Sequence, residues 1–301
     1  MGDCDNIVSC SDMPTRRELL CAVAFAAPGP RLRLTDTKGE NVAVHYDGAT
    51  LLEYRYSADR PKSYIHPLCI PSGQPVTLDA PKDHVHHRGL MVAWSEVNGI
   101  DFWGEVNPAR HGQIVHQRFE RLHQGPPAEI VSLNHWIAEG KLLLIERRTV
   151  RVSPPTGGTW LEWITELKAP NEPVSLAAGQ HVYNGLGIRV VPEMDGGRVL
   201  NSNGTATIEK ANGEAAKWCA YAGAGLGVAF FDHPANPRHP NAFFVMNKAF
   251  GYMSAAPTFR EPFQLARGQS IRFRWGVLAF SGEPKSEALD RRFQSWSKEK
   301  P

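Results

Sequence analysis

Apolar and polar residues alternate along much of the chain with the two-residue period of a half-buried strand. The alternation is short at residues 31–35, 42–46 and 51–56, and longer at 142–152 and 160–167, on either side of a Pro-Pro-Thr-Gly-Gly turn. It returns near the end of the chain, where Ile271, Phe273, Trp275 and Val277 share one face and Arg272 and Arg274 the other. These patterns predict antiparallel strands, two of them joined in a long hairpin.

A helical pattern is convincing only at residues 283–298, where Leu289, Phe293 and Trp296 lie on one stripe. The 27 glycines and 23 prolines are spread as turn punctuation, which favours many short strands. We find neither an internal repeat nor an interdomain linker. The chain is therefore predicted to be all-β, with residues 28–301 forming a single large antiparallel β-sandwich that carries a C-terminal helix.

Composition excludes several classes of protein. A formal net charge of +2 without a Lys/Arg run gives no support for binding nucleic acid. No apolar run reaches the ~18 residues of a membrane span. Five cysteines form neither a CxxC pair nor a metal-finger spacing. Outside the N-terminal region only Cys69 and Cys219 remain, and the sequence is compatible with either a disulfide or two buried thiols.

The N-terminal segment, residues 1–27, is predicted to be a leader. Arg16-Arg17, a short apolar core and small residues are typical of a twin-arginine export signal, and translation would then begin at Met13. This predicts a periplasmic or extracellular protein. The alternative is a short amphipathic helix that caps a cytoplasmic protein.

The most concentrated polar chemistry lies at residues 79–105. Three histidines, His84, His86 and His87, precede Arg88 in a Pro- and Gly-braced loop that runs into an apolar strand. Four other stretches combine histidines, aromatics or charges with prolines and glycines: 64–73, 179–189, 231–240 and 250–262. We expect the histidine loops to converge on one concave face, although about 150 residues separate them.

Two of these strings carry a family resemblance. The histidine and Asn-Gly-Ile-Asp-Phe-Trp strings of residues 66–103, with Phe231-Asp-His-Pro-Ala-Asn-Pro-Arg-His-Pro240, resemble the PmoA-like family, sometimes labelled "methane oxygenase". The resemblance covers roughly residues 35–282. The label is a poor guide to activity here, because the membrane subunit that shares the name needs spanning helices.

A weaker resemblance is to the aldose 1-epimerase, or galactose mutarotase, superfamily. It implies a β supersandwich, a sugar substrate, two catalytic histidines and a late glutamate. His86 or His87 would be the first histidine, and His181, in His-Val-Tyr-Asn, the second. Glu261 is the candidate glutamate by chain order alone, because nothing around it matches the motif.

Sugar chemistry assigns the remaining candidates. Ring opening needs an acid and a base, which imidazoles can supply near neutral pH. Trp94 and Trp103 would stack on a pyranose, while Arg88, Asp101 and Asn184 would bind its hydroxyls. Further substrate-binding candidates come from the same stretches: His66, Glu96, Tyr183, Asp232, His233, Arg238 and His239. The predicted function is thus a carbohydrate-active enzyme that is epimerase-like or performs a related lyase or hydrolase step, with no cofactor.

Two alternatives remain open. A divalent metal could be held by His84, His86 and His181, or with Asp232 as the distant ligand. If residues 84–87 are a strand, His84 and His86 share a face and His87 points away, so at most two of the three would ligate together. The second alternative is a noncatalytic sugar-binding module, which would keep the aromatics and lose the acid and base.

Overall fold

The alternating segments form the strands of two large antiparallel sheets. The structure is a computed structural model that describes residues 32–105, 111–180 and 182–299. The first sheet has eight strands in the order β1-β2-β3-β4-β5-β12-β17-β16. Their bounds are β1 Leu32–Thr37, β2 Asn41–Tyr46, β3 Ala49–Arg55, β4 Tyr64–Leu68, β5 Leu90–Ala93, β12 Gly185–Arg189, β16 Ala242–Met246 and β17 Tyr252–Ala256.

The second sheet also has eight strands, in the order β13-β14-β15-β19-β10-β9-β8-β7. Their bounds are β7 Gln113–His123, β8 Ala128–Ala138, β9 Lys141–Ser153, β10 Thr159–Lys168, β13 Arg198–Asn201, β14 Trp218–Gly223, β15 Leu226–Asp232 and β19 Ser270–Ser281. The predicted hairpin is confirmed as β9 and β10, in which Trp163 lies opposite Val150. On its other side Trp163 faces Trp275 of β19.

Side chains from the two sheets meet in one apolar core. Trp94 of the first sheet's side lies against Trp136 and Phe273 of the second, with ring centroids 6.1 and 5.8 Å apart. The core also holds a fully buried ion pair, in which Arg148 donates two hydrogen bonds to Glu146 at 2.8 and 2.7 Å. Arg148 also donates to the carbonyl of Ser63 at 2.7 Å. A buried charge is tolerable only when it is satisfied in this way.

A second apolar cluster covers the outer face of the second sheet. Helix α2, Ser286–Trp296, buries Leu289, Phe293 and Trp296 there, as the sequence predicts. The other helical pieces among the described residues are α1, Ile208–Ala211, and a 3-10 turn, Pro192–Met194. A three-stranded sheet of β6 Glu96–Val97, β11 Val174–Ala177 and β18 Phe263–Leu265 was not predicted.

The predicted antiparallel sandwich with a C-terminal helix is confirmed. Cys69 and Cys219 are both free and buried, which settles the choice between a disulfide and two thiols. The predicted leader lies outside the described residues. Within residues 32–299, apart from the two internal gaps, no helix is long and apolar enough to cross a membrane.

Candidate functional site

The outer face of the first sheet carries the candidate site where β5, β12, β17 and β16 lie side by side. Because strand side chains alternate, Leu186 and Ile188 of β12 enter the core, while Gly187 and Arg189 face outward. A Cβ at Gly187 would collide with the hydroxyl of Tyr252 on the neighbouring strand. Glycine at this position therefore makes room for the phenol against the sheet.

The three clustered histidines lie in consecutive turns rather than on a strand. His84 N–H donates to the Pro81 carbonyl and His87 N–H to the His84 carbonyl, both at 3.0 Å. At the end of this segment Gly89 has a φ of 53°, and a Cβ there would collide with the carbonyl of Ile65. The expectation that His87 would point away from the other two rested on a strand and is wrong. Ring centroids of the three imidazoles are 4.8 Å apart for His84–His87, 4.7 Å for His86–His87 and 5.6 Å for His84–His86.

These imidazoles line a cavity of about 70 Å³, which we call the histidine pocket. Aromatic and apolar side chains complete its wall: Trp103, Tyr183, Phe244, Met246, Phe250 and Tyr252. The Trp103 indole lies 5.0 Å from the His86 ring and 4.5 Å from the Tyr183 ring, centroid to centroid. A space of this size holds a few water molecules or one substituent of a sugar ring, but not a whole pyranose.

Burial controls the charge of these groups. It lowers the pKa of His86 to about 4, with help from nearby Lys62. It lowers the pKa of His87 to about 2, with His86 and Arg189 adding to the effect. Both imidazoles are therefore neutral at pH 7, each with one nitrogen able to donate and one able to accept. Burial, with Asp101 nearby, raises the pKa of Tyr183 to about 12, so its phenol stays protonated.

A network of charged residues around the buried Lys62 holds the backbone of Trp103 in place. Lys62 donates to the Trp103 carbonyl at 2.7 Å and pairs with Glu105 at 2.7 Å, and Arg88 pairs with Glu105 at 2.8 Å. Asp101 accepts the backbone N–H groups of Trp103 and Gly104 at 2.7 and 2.8 Å, which shapes the turn. Arg88 and Asp101, expected to bind substrate, are thus engaged in holding the wall.

Three other predicted residues, Asn184, His66 and Glu96, do not line the histidine pocket. Asn184 is fully buried and accepts the Ser95 N–H at 2.8 Å, which anchors the segment that carries Tyr183. His66 is half-buried and bonded through Nδ1 to Thr77 Oγ1 at 3.0 Å, and burial lowers its pKa to about 4. Glu96 is exposed and lies against Gly179. His181 lies outside the described residues.

Trp94 is not part of the pocket. Its side chain is fully buried between the sheets, and its indole N–H donates to Thr258 Oγ1 at 3.1 Å. The expectation that it stacks on a sugar is therefore wrong.

The 231–240 loop is a self-satisfied structural unit. The fully buried carboxylate of Asp232 accepts hydrogen bonds from Asn236 Nδ2 at 2.7 Å, His239 Nδ1 at 2.8 Å and the Asn241 N–H at 2.9 Å. His233 Nε2 lies 3.0 Å from the Arg274 guanidinium and packs on Trp296 of helix α2. Asp232, His233 and His239 do not line the histidine pocket, and these partners belong to their own loop, Asn241, Arg274 and helix α2, so the convergence expected for this loop is not observed.

Arg238 and Glu261 line a different cavity, of about 240 Å³, together with Ala242 and Ala256. Ala242 and Ala256, which pair at one end of the β16–β17 hairpin, line this cavity, whereas Met246 and Tyr252, which pair at the other end, line the histidine pocket. The Glu261 side chain is 76% exposed. The structure therefore does not pair Glu261 with His86 or His87 as acid and base.

The described side chains give no support for the alternative of a metal site. Within residues 32–105, 111–180 and 182–299 no three His, Cys, Asp or Glu side chains could hold a metal ion. The predicted set of His84, His86 and His181 includes one residue outside those ranges and stays a prediction.

Some lining residues were not assigned a role from the sequence. Phe244, Met246, Phe250 and Tyr252 come from β16, β17 and the turn between them. The signal that could have found them is the Gly-Leu-Gly-Ile-Arg string of β12. Two glycines on one face of a buried strand leave space that a neighbouring strand must fill with large side chains.

Comparison with known proteins shows the family. The family model of DUF6807, described as a family of unknown function, matches residues 41–294, and the chain belongs to that family. The comparisons give no support for the PmoA-like resemblance. None of the curated proteins matches the chain.

Several solved structures have a similar arrangement of strands at low sequence identity. A heparan sulfate lyase HepC mutant from Pedobacter heparinus is 10% identical with a TM-score of 0.46, and the match covers 86% of this chain but 38% of the lyase. A galactose mutarotase-like protein from Lactobacillus casei ATCC 334 is 10% identical with a TM-score of 0.39, over 82% of this chain and 99% of that protein. A putative aldose 1-epimerase from Escherichia coli K12 is 11% identical with a TM-score of 0.35, over 84% and 100% of the two chains.

Proposed function

We propose that this protein is a carbohydrate-acting enzyme that inserts one substituent of a sugar into the histidine pocket and transfers protons there. The observation that carries the proposal is the convergence of three imidazoles and a phenol on one small aromatic cavity. Aromatic rings such as Trp103 offer a sugar an apolar face, while imidazole and hydroxyl groups bind oxygens. The polar groups are too many for a pocket that only binds apolar molecules.

At neutral pH the pocket holds both a proton acceptor and a proton donor. A neutral imidazole with an accessible nitrogen acts as a general base, and a protonated phenol acts as a general acid. We assign the base to His86, because its ring has no hydrogen bond to any described side chain and it lies against Trp103. We assign the acid to Tyr183, whose ring touches the same indole. Epimerase-like ring opening and closure needs this pair of functions.

Nuclear magnetic resonance with a panel of neutral and acidic monosaccharides tests the proposal. We expect a subset to bind saturably and to change anomer or isomer in the presence of the protein. His86→Gln should lower turnover by about 10²-fold or more, which is the usual contribution of a general base. His116→Gln is the matched control, because burial also lowers the pKa of His116 to about 4 although it lies on β7 beside Ser132.

Three results would overturn the proposal. If no sugar binds, the pocket has another ligand. If sugars bind but His86→Gln and the control turn over equally, His86 is not the base. If elemental analysis finds a stoichiometric divalent metal on which turnover depends, the metal-dependent alternative replaces proton transfer by imidazole alone.

A further inference from the structure

Arg189 is a buried cation directly behind the histidine pocket. It ends strand β12, faces outward and is 4% exposed. Its guanidinium carbon lies 3.7 Å from the centroid of the Phe250 ring, and one terminal nitrogen lies 3.4 Å from His87 Nδ1. Phe250 and His87 both line the pocket, so Arg189 forms its second layer on that side.

This guanidinium is poorly neutralised. The carboxylate nearest to it among the described residues is Asp83, at 3.9 Å, and the Asp83 side chain is 55% exposed. The Nε of Arg189 is buried and has no hydrogen-bond partner among the described residues. Burial lowers the pKa of Arg189 although Asp83 and Asp195 oppose the shift. Arg148 is the contrast, because two hydrogen bonds to Glu146 keep its pKa raised in spite of complete burial.

The unsatisfied edge of Arg189 has the geometry of a carboxylate receptor. One terminal nitrogen is directed at His87, which leaves Nε and the other terminal nitrogen as the pair of parallel donors. Two adjacent guanidinium N–H groups match the two oxygens of a carboxylate, which is why arginine recognises carboxylates in a bidentate manner. A buried cation that lacks such a partner is costly unless a ligand supplies one.

Asp83 shows where the ligand group would lie. Its Oδ2 is 2.8 Å from His84 Nδ1, which must donate because an ionised carboxylate only accepts. The same oxygen is the one 3.9 Å from Arg189. The exposed Asp83 carboxylate thus lies between His84, which lines the pocket, and Arg189 behind the pocket. Because the Asp83 side chain is exposed, it can turn towards solvent.

We propose that the histidine pocket selects acidic sugars, such as a uronate or an aldonate, and that the ligand carboxylate replaces Asp83 between Arg189 and His84. This inference rests on the proposed function and names its substrate class. His84 lines the pocket and the Asp83 side chain is exposed, so this position lies where the pocket adjoins solvent.

Calorimetry with matched sugars tests the selection. Glucuronate and galacturonate are compared with glucose and galactose, and glucose 6-phosphate separates a carboxylate site from a general anion site. We expect the uronates to bind about 10–100-fold more tightly than the neutral sugars, which is the usual worth of charge-assisted hydrogen bonds. Glucose 6-phosphate should not share this gain.

Two variants and a control locate the effect. Arg189→Met should remove the preference for uronates. Asp83→Asn changes an exposed side chain, so we expect the protein to fold as before. This variant should bind uronates severalfold more tightly, because the competing carboxylate is gone. Arg292→Met is the control, because Arg292 also lies over an aromatic ring, Trp160 at 5.0 Å, but belongs to helix α2 on the outer face of the second sheet. It should change nothing.

The outcomes separate this inference from the proposed function. Equal binding of neutral and acidic sugars overturns the inference and leaves the proposed function in place. Preference for glucose 6-phosphate, or an unchanged preference in Asp83→Asn, also overturns it. If neither neutral nor acidic sugars bind, the proposed function fails first.

Discussion

The two histidine-rich loops of this protein look alike in sequence and differ in what their polar atoms contact. In the 231–240 loop, Asp232 is fully buried and its oxygens are taken up by donors from the same loop and from Asn241. In the 81–87 segment, three imidazoles lie against one another, and the His86 ring makes no hydrogen bond to a described side chain.

Satisfaction of the polar atoms inside the loop distinguishes a structural loop from one that can bind a ligand. Both loops have prolines, histidines and an acid. The structural loop satisfies its own donors and acceptors, so burial costs little. The 81–87 segment, which we propose to bind a ligand, places the imidazoles of His84, His86 and His87 against a cavity. The comparison predicts opposite effects of substitution in the two loops.

The largest effect on stability should come from Asp232→Ala. It removes the buried carboxylate that accepts hydrogen bonds from Asn236, from the half-buried His239 and from the Asn241 N–H, and we expect a loss of about 3–5 kcal/mol in the free energy of unfolding. Urea unfolding monitored by tryptophan fluorescence measures it. Asp59→Ala, at an exposed carboxylate, is the control and should leave the unfolding curve where it is. A small loss in Asp232→Ala would remove the contrast between the loops.

His86→Gln should have the opposite effects, with little change in stability and a loss of ligand binding or turnover. Because the His86 ring gives up no hydrogen bond to a described side chain, we expect the free energy of unfolding to change by less than about 1 kcal/mol. Ligand binding or turnover should nevertheless be lost. The same urea titration, run beside the nuclear magnetic resonance assay, gives both quantities, and a large destabilisation would assign His86 to the structural class.

Acidification should lower the stability of the folded protein through a histidine in each loop. The pKa of His86 and that of His233 are each lowered from 6.5 to about 4 in the folded protein, chiefly by burial. Between pH 6.5 and 4 these two imidazoles are therefore protonated in the unfolded chain but not in the folded protein. The free energy of unfolding then falls as the pH is lowered from 6.5 towards 4. Unfolding at pH 7 and pH 5 measures the fall, and the double variant His86→Gln/His233→Gln should show less of it. An equal fall in the double variant would contradict the assignment.

The smallest effect is expected for Glu261→Gln. The side chain is 76% exposed and lines the cavity at the far end of the β16–β17 hairpin. We expect stability to change by no more than about 0.5 kcal/mol and sugar turnover to stay unchanged. A loss of turnover in this variant would return Glu261 to the role that chain order suggested, and would show that the two cavities work together.

Local periodicity predicted the fold well. Strands β9, β10 and β19 and helix α2 follow directly from alternation or a helical stripe. Strands β10 and β19 are nevertheless buried on both faces over most of their length, because helix α2 covers the outer face of the second sheet. The small sheet of β6, β11 and β18 was missed because strands of two to four residues carry no readable period.

The site was only partly predictable. The cluster at His84–His87 was found because of its composition, but its geometry was not, since turns bring together rings that a strand would separate. Trp94 and Trp103 look equivalent in sequence, and only the packing of the sheets decides that one fills the core and the other lines a pocket. Arg189 had no signal of its own, because the lack of a partner is a property of three-dimensional surroundings.

The hydrogen bonds of Arg148 and Lys62 have a consequence for how a ligand enters. Arg148, fully buried in the second sheet, donates a hydrogen bond to the Ser63 carbonyl at 2.7 Å. Lys62, the residue before Ser63, donates to the Trp103 carbonyl, also at 2.7 Å. The Trp103 side of the pocket is thereby tied to the interior of the sandwich and can swing outward only if buried charges lose their partners. If a ligand binds in the pocket as we propose, we expect it to enter where Asp83 and Val85 are exposed in the turns that carry the histidines. Ligand exchange would then require motion of that short turn, while Trp103 stays in place.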